Sequence, residues 1–249
     1  MMRGARSGFH AVGLISHCLN IMSEEKAHEH YQGEEGKRYH ELKRSIPEAA
    51  YPWVARSRAA KIAPFVREED TVFEYGVGFG WNLGELRCRR RVGFDLADFL
   101  GPIVRQHGIE FIEETRSLSD GMADVVVCHH TLEHVLHPAD VLQEIRRVLR
   151  AGGTLLLFAP YEKERRYRQH RAEEPNHHLY SWNVQTLGNL VLETGFRLVA
   201  GRIAKFRLDR FAAVWACRLR LGEPGFRCIR GVGLALQPEY EVRIVASKP

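Results

Sequence analysis

The sequence predicts an α/β protein, a seven-stranded, mostly parallel sheet with helices on both faces and a helical lid ahead of it. Two observations carry this. Short apolar runs alternate with helical segments along most of the chain, the order of β-α-β units, which implies a parallel sheet covered on both sides. The first run passes straight into a glycine turn, in VFEYGVGFGWN from Val72 to Asn82. Such a turn between a strand and a helix lets a ligand touch bare backbone. At 249 residues the chain suits one sizeable core with decorations.

Taken in order, residues 1–22 read as a disordered extension, because their apolar patch is interrupted by His17 and Asn20 and Met22 followed by SEEKAHEHY looks like a natural start. Residues 23–66 are charged and helical in character, broken by Gly33, Gly36, Pro47 and Pro52, and form the expected lid. The main domain, residues 67–249, opens with TVFEY as a strand, the glycine turn, a helix starting at WNLGEL and a second strand at RRVGFD. IEFIEE is a third strand and ADVVVCHH a fourth. A helix follows from Pro138, well placed at its first position, to about Leu149, with Gly152 and Gly153 marking its far end. TLLLFAP is the fifth strand. Residues 161–182 are too polar for core and too long for a tight connection, so they form an excursion over the site. NVQTLGNLVLETG reads as a helix and FRLVAGRIA as a strand, and residues 205–249 add an apolar helix around RFAAVWACRLRL and a closing strand, YEVRIVAS.

The balance of 45% apolar and 27% charged residues is that of a soluble globular protein. No apolar stretch approaches the roughly 20 residues of a membrane span, so stable membrane insertion is not expected. Cys18, Cys88, Cys128, Cys217 and Cys228 are odd in number and never form a C-x-x-C pair, which fits a reducing cytoplasm rather than a disulfide framework or a zinc ribbon. The net charge of +5 falls to +3 without Arg3 and Arg6, weak support for nucleic acid as a partner.

Gly76, Gly78 and Gly80 alternate, and Gly84 comes one place too late for the G-x-G-x-x-G of a nicotinamide site. Neither lysine nor hydroxyl follows Gly80, so the turn is not a phosphate-binding P-loop either. VFEYGVGFG, VGFDLAD, DVVVCHHTLEHV and VLRAGGTLLLFAP, in that order and spacing, resemble successive motifs of class I S-adenosylmethionine (SAM) dependent methyltransferases, over about Thr71 to Ala204. The resemblance implies a Rossmann-like fold and SAM as cofactor, its amino acid end lying against the glycines. By the same resemblance, Glu74 orients the turn near the cationic end and Asp95 accepts from the ribose hydroxyls. Glu114, or its neighbour Glu113, stands where the family carries an acid for the adenine. Asn82, Leu96, Thr115, Cys128 and His129 complete the implied cofactor contacts.

CHHTLEHVLHP puts His129, His130, His134 and His137 with Glu133 just beyond the fourth strand, at the carboxyl edge where open α/β sheets bind ligands. The stretch resembles the E-x-L-E-H-V segment of ubiquinone-biosynthesis O-methyltransferases, and related small-RNA methyltransferases use an E-x-x-E-H triplet with a later histidine for a divalent ion. If residues 131–135 form a helical turn, His130, Glu133 and His134 share a face, with His177 or His178 as the later ligand. His130, Glu133, His134 and His178 are then a candidate metal set, its imidazoles favouring zinc or another transition ion over magnesium. The alternative is that Leu132 and Val135 pack, Glu133 and His134 bond to backbone, and no metal binds.

Methyl transfer from sulfonium is an in-line displacement that mostly needs alignment, but a hydroxyl acceptor must also lose its proton. His130 and His134 are the first candidates for the base and His177 and His178 the next, which favours a small-molecule or glycan-precursor acceptor methylated at oxygen. The basic loop EKERRYRQHR suits an acidic acceptor, or is a solvated loop. Tyr180 and Trp182 wall an acceptor pocket or hold the excursion down as core aromatics. The apolar helix near the C-terminus has basic flanks, as a membrane-surface helix would, although packing against the sheet is the expectation. A nucleic-acid methyltransferase and a non-catalytic SAM-binding protein are the rival readings, and the expected state is a monomer or homodimer.

Overall fold

A computed structural model describes residues 31–44, 46–162, 169–170, 176–206, 208–236 and 239–249. The expected N-terminal extension and most of the EKERRYRQHR loop lie outside these residues. Seven strands form one sheet in the order β3-β2-β1-β4-β5-β7-β6. They are β1 (Thr71–Tyr75), β2 (Arg90–Phe94), β3 (Glu110–Ile112), β4 (Ala123–His129), β5 (Leu149–Tyr161), β6 (Arg197–Phe206) and β7 (Glu239–Ser247). The first five pair in parallel, and β7 inserts antiparallel between β5 and β6. The sheet is therefore mostly parallel, as the sequence predicts, and the structure adds that its last strand is reversed.

The central strands are apolar on both sides because both sides are covered. Successive side chains alternate between faces: Phe73, Val126 and Leu155 join one core with Leu142 and Ile145 of α4 (Pro138–Val148) and Leu187 and Val191 of α5 (Val184–Glu193). Val72, Val125, Val127 and Leu156 join the other, with Ala59 of α2 (Tyr51–Ala59) and Val104 of α3 (Gly101–Gln106). A third cluster packs α6 (Asp209–Arg218) and α7 (Gly222–Leu236) against α2 through Val54, Ala212, Ala216 and Phe226. Ahead of α2 lies α1 (Gly33–Arg44).

Two expectations differ from the structure. WNLGEL forms tight turns rather than a helix: Gly84 N reaches Gly80 O at 2.8 Å and Leu86 N reaches Leu83 O at 3.0 Å, and Arg91 Nη1 donates to Leu83 O at 3.4 Å and Gly84 O at 2.7 Å. A helix needs those carbonyls for its own ladder. Conversely, α7 forms despite Pro224 and four glycines, residues of poor helix propensity. Packing supplies what propensity lacks: Phe226 is buried, and Gly233 lies so close to Leu208 that a Cβ would collide with it.

Candidate active site

At the carboxyl end of β1 two successive amides, Gly76 N and Val77 N, donate to Phe94 O of β2, each at 2.8 Å. Gly76, Gly78 and Gly80 all take positive φ, +79°, +52° and +73°, which side chains disfavour. Their surroundings differ. A Cβ on Gly76 would run into Thr131 and one on Gly80 into Ile109 Cδ1, whereas one on Gly78 would meet nothing within 4 Å. The outer glycines thus serve the protein's own packing, and the middle one borders open space.

Gly78 N donates to Asp95 Oδ2 at 2.8 Å and Ala97 N to Asp95 Oδ1 at 3.1 Å, so Asp95 pins the turn to the end of β2. Burial pushes its carboxyl up, and these backbone bonds oppose that. Behind the turn Glu74 is fully buried and accepts from Asn82 Nδ2. Burial pushes its carboxyl up to about 8. Glu74 Oε2 and Asn82 Oδ1 have no hydrogen-bond partner among the described residues. Asn82 also lines the cavity in front of the turn, and an unsatisfied buried acceptor there suits a ligand that brings a donor.

Across the cavity β4 ends in His129, and His130 takes φ +53°. This turns its imidazole toward β7, where Nε2 lies 3.3 Å from Glu241 Oε2. Glu241 is fully buried and accepts from Lys61 Nζ at 3.2 Å and from Arg243 Nε at 2.7 Å. Lys61 Nζ is also 2.6 Å from His129 Nε2 and 4.5 Å from the centre of the Phe158 ring. His129, His130 and Glu241 have the proximity of a metal site, but the ammonium of Lys61 already stands between His129 and Glu241. Burial lowers Lys61 to about 8 and His130 to about 4, with Glu241 opposing both shifts. Burial would raise Glu241, yet the His130 hydrogen bond and the Lys61 charge hold it at about 2. His130 is therefore a neutral imidazole at neutral pH; with Nε2–H donated to Glu241, its Nδ1 is the proton acceptor.

A second group lies beside the first. Glu133, His134 and His178 bring one ligating atom each within 4.8 Å of one another. His134 Nε2 is 3.7 Å from Glu133 Oε1, its Nδ1 meets Tyr31 Oη at 2.8 Å, and His178 Nδ1 meets Glu162 Oε1 at 2.8 Å. The Glu133 carbonyl holds His178 nearby by accepting from Leu179 N at 2.7 Å and Tyr180 N at 3.2 Å. Three members of the candidate metal set thus come together and His130 does not. The reason is local: residues 131–134 close a turn, His134 N to Thr131 O at 3.0 Å, while His130 N continues the strand bonding to Phe158 O at 2.9 Å. His177 is exposed with φ +48°, and neither it nor His178 is on the cavity wall.

The groups open onto a cavity of about 720 Å³ whose walls include Gly78, Asp95, His130 and His134. The N-terminal segment covers it: Tyr31, Tyr39 and His40 line it, and Gln32 Nε2 donates to Leu96 O at 3.0 Å. A family model described as a methyltransferase domain matches residues 40–200, well over half of the chain and all of this glycine turn and histidine segment. The chain belongs to this methyltransferase family. A putative methyltransferase from Bacillus halodurans shares the fold at a TM-score of 0.57 and 18% identity, covering 78% of this chain and 98% of that one. So does a Haemonchus contortus phosphoethanolamine N-methyltransferase in complex with S-adenosyl-L-methionine, at a TM-score of 0.55 and 15% identity, over 80% of this chain and 56% of that one. Among curated proteins, the thiol S-methyltransferase TMT1B of Homo sapiens is 54% identical over 46 residues, 18% of this chain and 19% of that protein. The chain thus spans about a fifth of the length of the curated relatives it matches.

In this member of the methyltransferase family the cofactor candidates separate by position. Gly76, Gly78, Asn82 and Asp95 line the cavity, as do Leu96, Thr115 and His129. Glu74 sits behind Asn82, Gly80 faces Ile109, and Cys128 is sealed in the sheet, its thiol pushed up by burial. Glu113 and Glu114 are both exposed and off the wall; Thr115 and Arg116 take that stretch of it instead. Trp182 is core and Tyr180 stacks on it at 5.2 Å, so these aromatics hold the excursion down rather than wall the pocket. Lys61 and Glu241 were not legible: Glu241 is 111 residues from His130, on a strand whose sequence differs from other amphipathic strands only by its position in the sheet.

Proposed function

We propose that this methyltransferase acts on a small acceptor bearing a hydroxyl, with His130 as the base that takes its proton. The observation that carries the reading is a neutral imidazole on the wall of the same cavity as Gly78, held from behind by buried Glu241. When bound, SAM supplies an electrophilic methyl group on a sulfonium. Gly78 and Asp95 would receive it, with Asn82 offering its unfilled acceptor; Glu74 acts through Asn82 as a positioning residue. The Tyr31 to His40 cover excludes water, which a displacement at methyl requires. Arg116 and Arg210 on the wall support an acidic acceptor.

Two further readings rest on particular observations. The identity with a thiol S-methyltransferase supports sulfur as the atom methylated, and a thiol with an ordinary pKa of about 8.5 needs less help from a base than an alcohol. Glu133, His134 and His178 also support a divalent ion: one carboxylate and two imidazoles suit zinc, and each imidazole has its Nδ1 engaged by an outer oxygen, as metal-bound histidines do. Labelled SAM with matched alcohol, thiol and amine acceptors and a cell extract is the test. Label on oxygen supports the main reading, label on sulfur the second, and label on nitrogen overturns both. Elemental analysis of the purified chain and of His178→Ala decides the ion, which no bound metal would refute.

A further inference from the structure

Helix α6 buries one side and exposes the other. Ala212, Ala213 and Ala216 pack with Phe226 and Val54, whereas Phe211 and Trp215, one turn apart, are 54% and 40% exposed. From its last residue the chain reads Arg218, Leu219, Arg220, Leu221, and both leucines stand out at the tip between α6 and α7, 56% and 49% exposed. Large apolar side chains grouped on one surface mark an interaction site.

Charge decides what the site takes. Residues 208–236 carry five arginines and two acids. Both acids are engaged, Asp209 by Arg58 and Arg230 and Glu223 by Arg56 and Arg227. Arg218 and Arg220 have no ion pair among the described residues, and Arg218 lies over the Trp215 ring at 5.7 Å. Arginines interleaved with Trp, Phe and Leu match an anionic lipid interface: rings and leucines enter the headgroup boundary while the arginine stems follow them and leave the guanidinium among phosphates. A second copy docked on the same face would set arginine against arginine. No described helix is long and apolar enough to cross a membrane, so the contact is peripheral. Arg210, beside Phe211, lines the active-site cavity, and docking through this face holds the cavity close to the lipid.

We propose that the α6–α7 tip, with Phe211, Trp215, Leu219 and Leu221 as apolar contacts and Arg218 and Arg220 as phosphate contacts, docks this methyltransferase on anionic bilayers. The test is co-sedimentation of the full chain with vesicles of phosphatidylcholine alone and of phosphatidylcholine mixed with phosphatidylglycerol. The expected result is at least roughly tenfold tighter binding to the mixed vesicles, weakened by salt. Arg218→Glu with Arg220→Glu removes that preference, and Trp215→Ala with Leu219→Ser lowers binding to about a tenth, while SAM binding by calorimetry stays as in the parent chain. Equal binding to both vesicles, no binding, or a concentration-dependent dimer that the same substitutions dissolve overturns the proposal.

Discussion

Among the described residues Glu74 forms no ion pair and accepts a hydrogen bond only from the Asn82 amide, with Arg58 and Lys61 acting on it from farther off, and that makes its protonation a stability term. An ordinary carboxyl near 4.5 is raised by burial to about 8 in the folded chain. The folded state therefore holds a proton that the unfolded state has released. Stability is full below about 4.5 and is lost as pH rises through about 8. Glu74→Gln removes that loss. We expect its urea midpoint to match the parent near pH 4.5 and exceed it near pH 8, by about 4 kcal/mol in stability; parallel pH profiles would sink the assignment. Glu241 has the opposite sign: held at about 2, it contributes stability that is present above 4.5 and lost as pH falls through 2. For His130, the neutral form is the active one, so the acid limb of kcat lies near its value of about 4. His130→Asn should lower kcat by about 10²- to 10⁴-fold, the usual worth of a general base, with SAM affinity retained. Glu241→Gln removes the group that raises His130, and should move the acid limb to lower pH as well as lowering kcat. An unchanged kcat in His130→Asn removes the histidine from the chemistry, and an unmoved limb in Glu241→Gln removes the carboxylate behind it.

The glycine turn divides its labour among three positions, and substitution separates them. Gly78→Ala meets no atom within 4 Å, so it costs only the left-handed backbone, about 1–2 kcal/mol. It should fold and lose SAM affinity at least about tenfold, since its methyl projects into the space a ligand would use. Gly76→Ala adds a collision with Thr131 to the same backbone cost and should lower thermal stability more than Gly78→Ala does. Similar stability loss in both variants would mean the turn relaxes, contrary to the packing described. The same turn shows what a sequence can and cannot disclose. Its glycines, the strands on either side and Asp95 at the end of β2 were legible because strand periodicity and turn chemistry are local. The missing helix at WNLGEL was not, because Arg91, on the next strand, takes the carbonyls that would have extended it. Helix α7 was masked by its glycines and is held by contacts with α2 and Leu208. Likewise HHTLEH marked a polar site, but its division into two groups depends on Glu241 and Lys61, which only the reversed β7 and the end of the N-terminal helical layer bring to His130.

The cavity is assembled from β1, β2, β4, the N-terminal cover and the start of α6, so no single element owns it. A ligand filling it touches pieces of chain drawn from distant parts of the sequence, and binding to the folded state alone stabilises the whole molecule. At a SAM concentration of about 100 times Kd that linkage is worth about 2.7 kcal/mol, which for a chain of this length corresponds to a rise in Tm of roughly 5–10 °C. Asp95 is the place to break it. Its two oxygens already accept from Gly78 and Ala97, yet an ionised carboxylate has further lone pairs for a ligand's hydroxyls. Asp95→Asn keeps one carbonyl oxygen for the turn and loses the charge, so its ligand-free Tm should fall only slightly while its rise with SAM shrinks to about half or less. Asp95→Ala should fall further and show almost no rise. The comparison distinguishes a residue that merely braces the turn, which would lower Tm in both variants and leave the ligand-induced rise intact, from one that also meets the cofactor. A full rise in Asp95→Ala with its fold intact would mean that SAM sits elsewhere in the cavity.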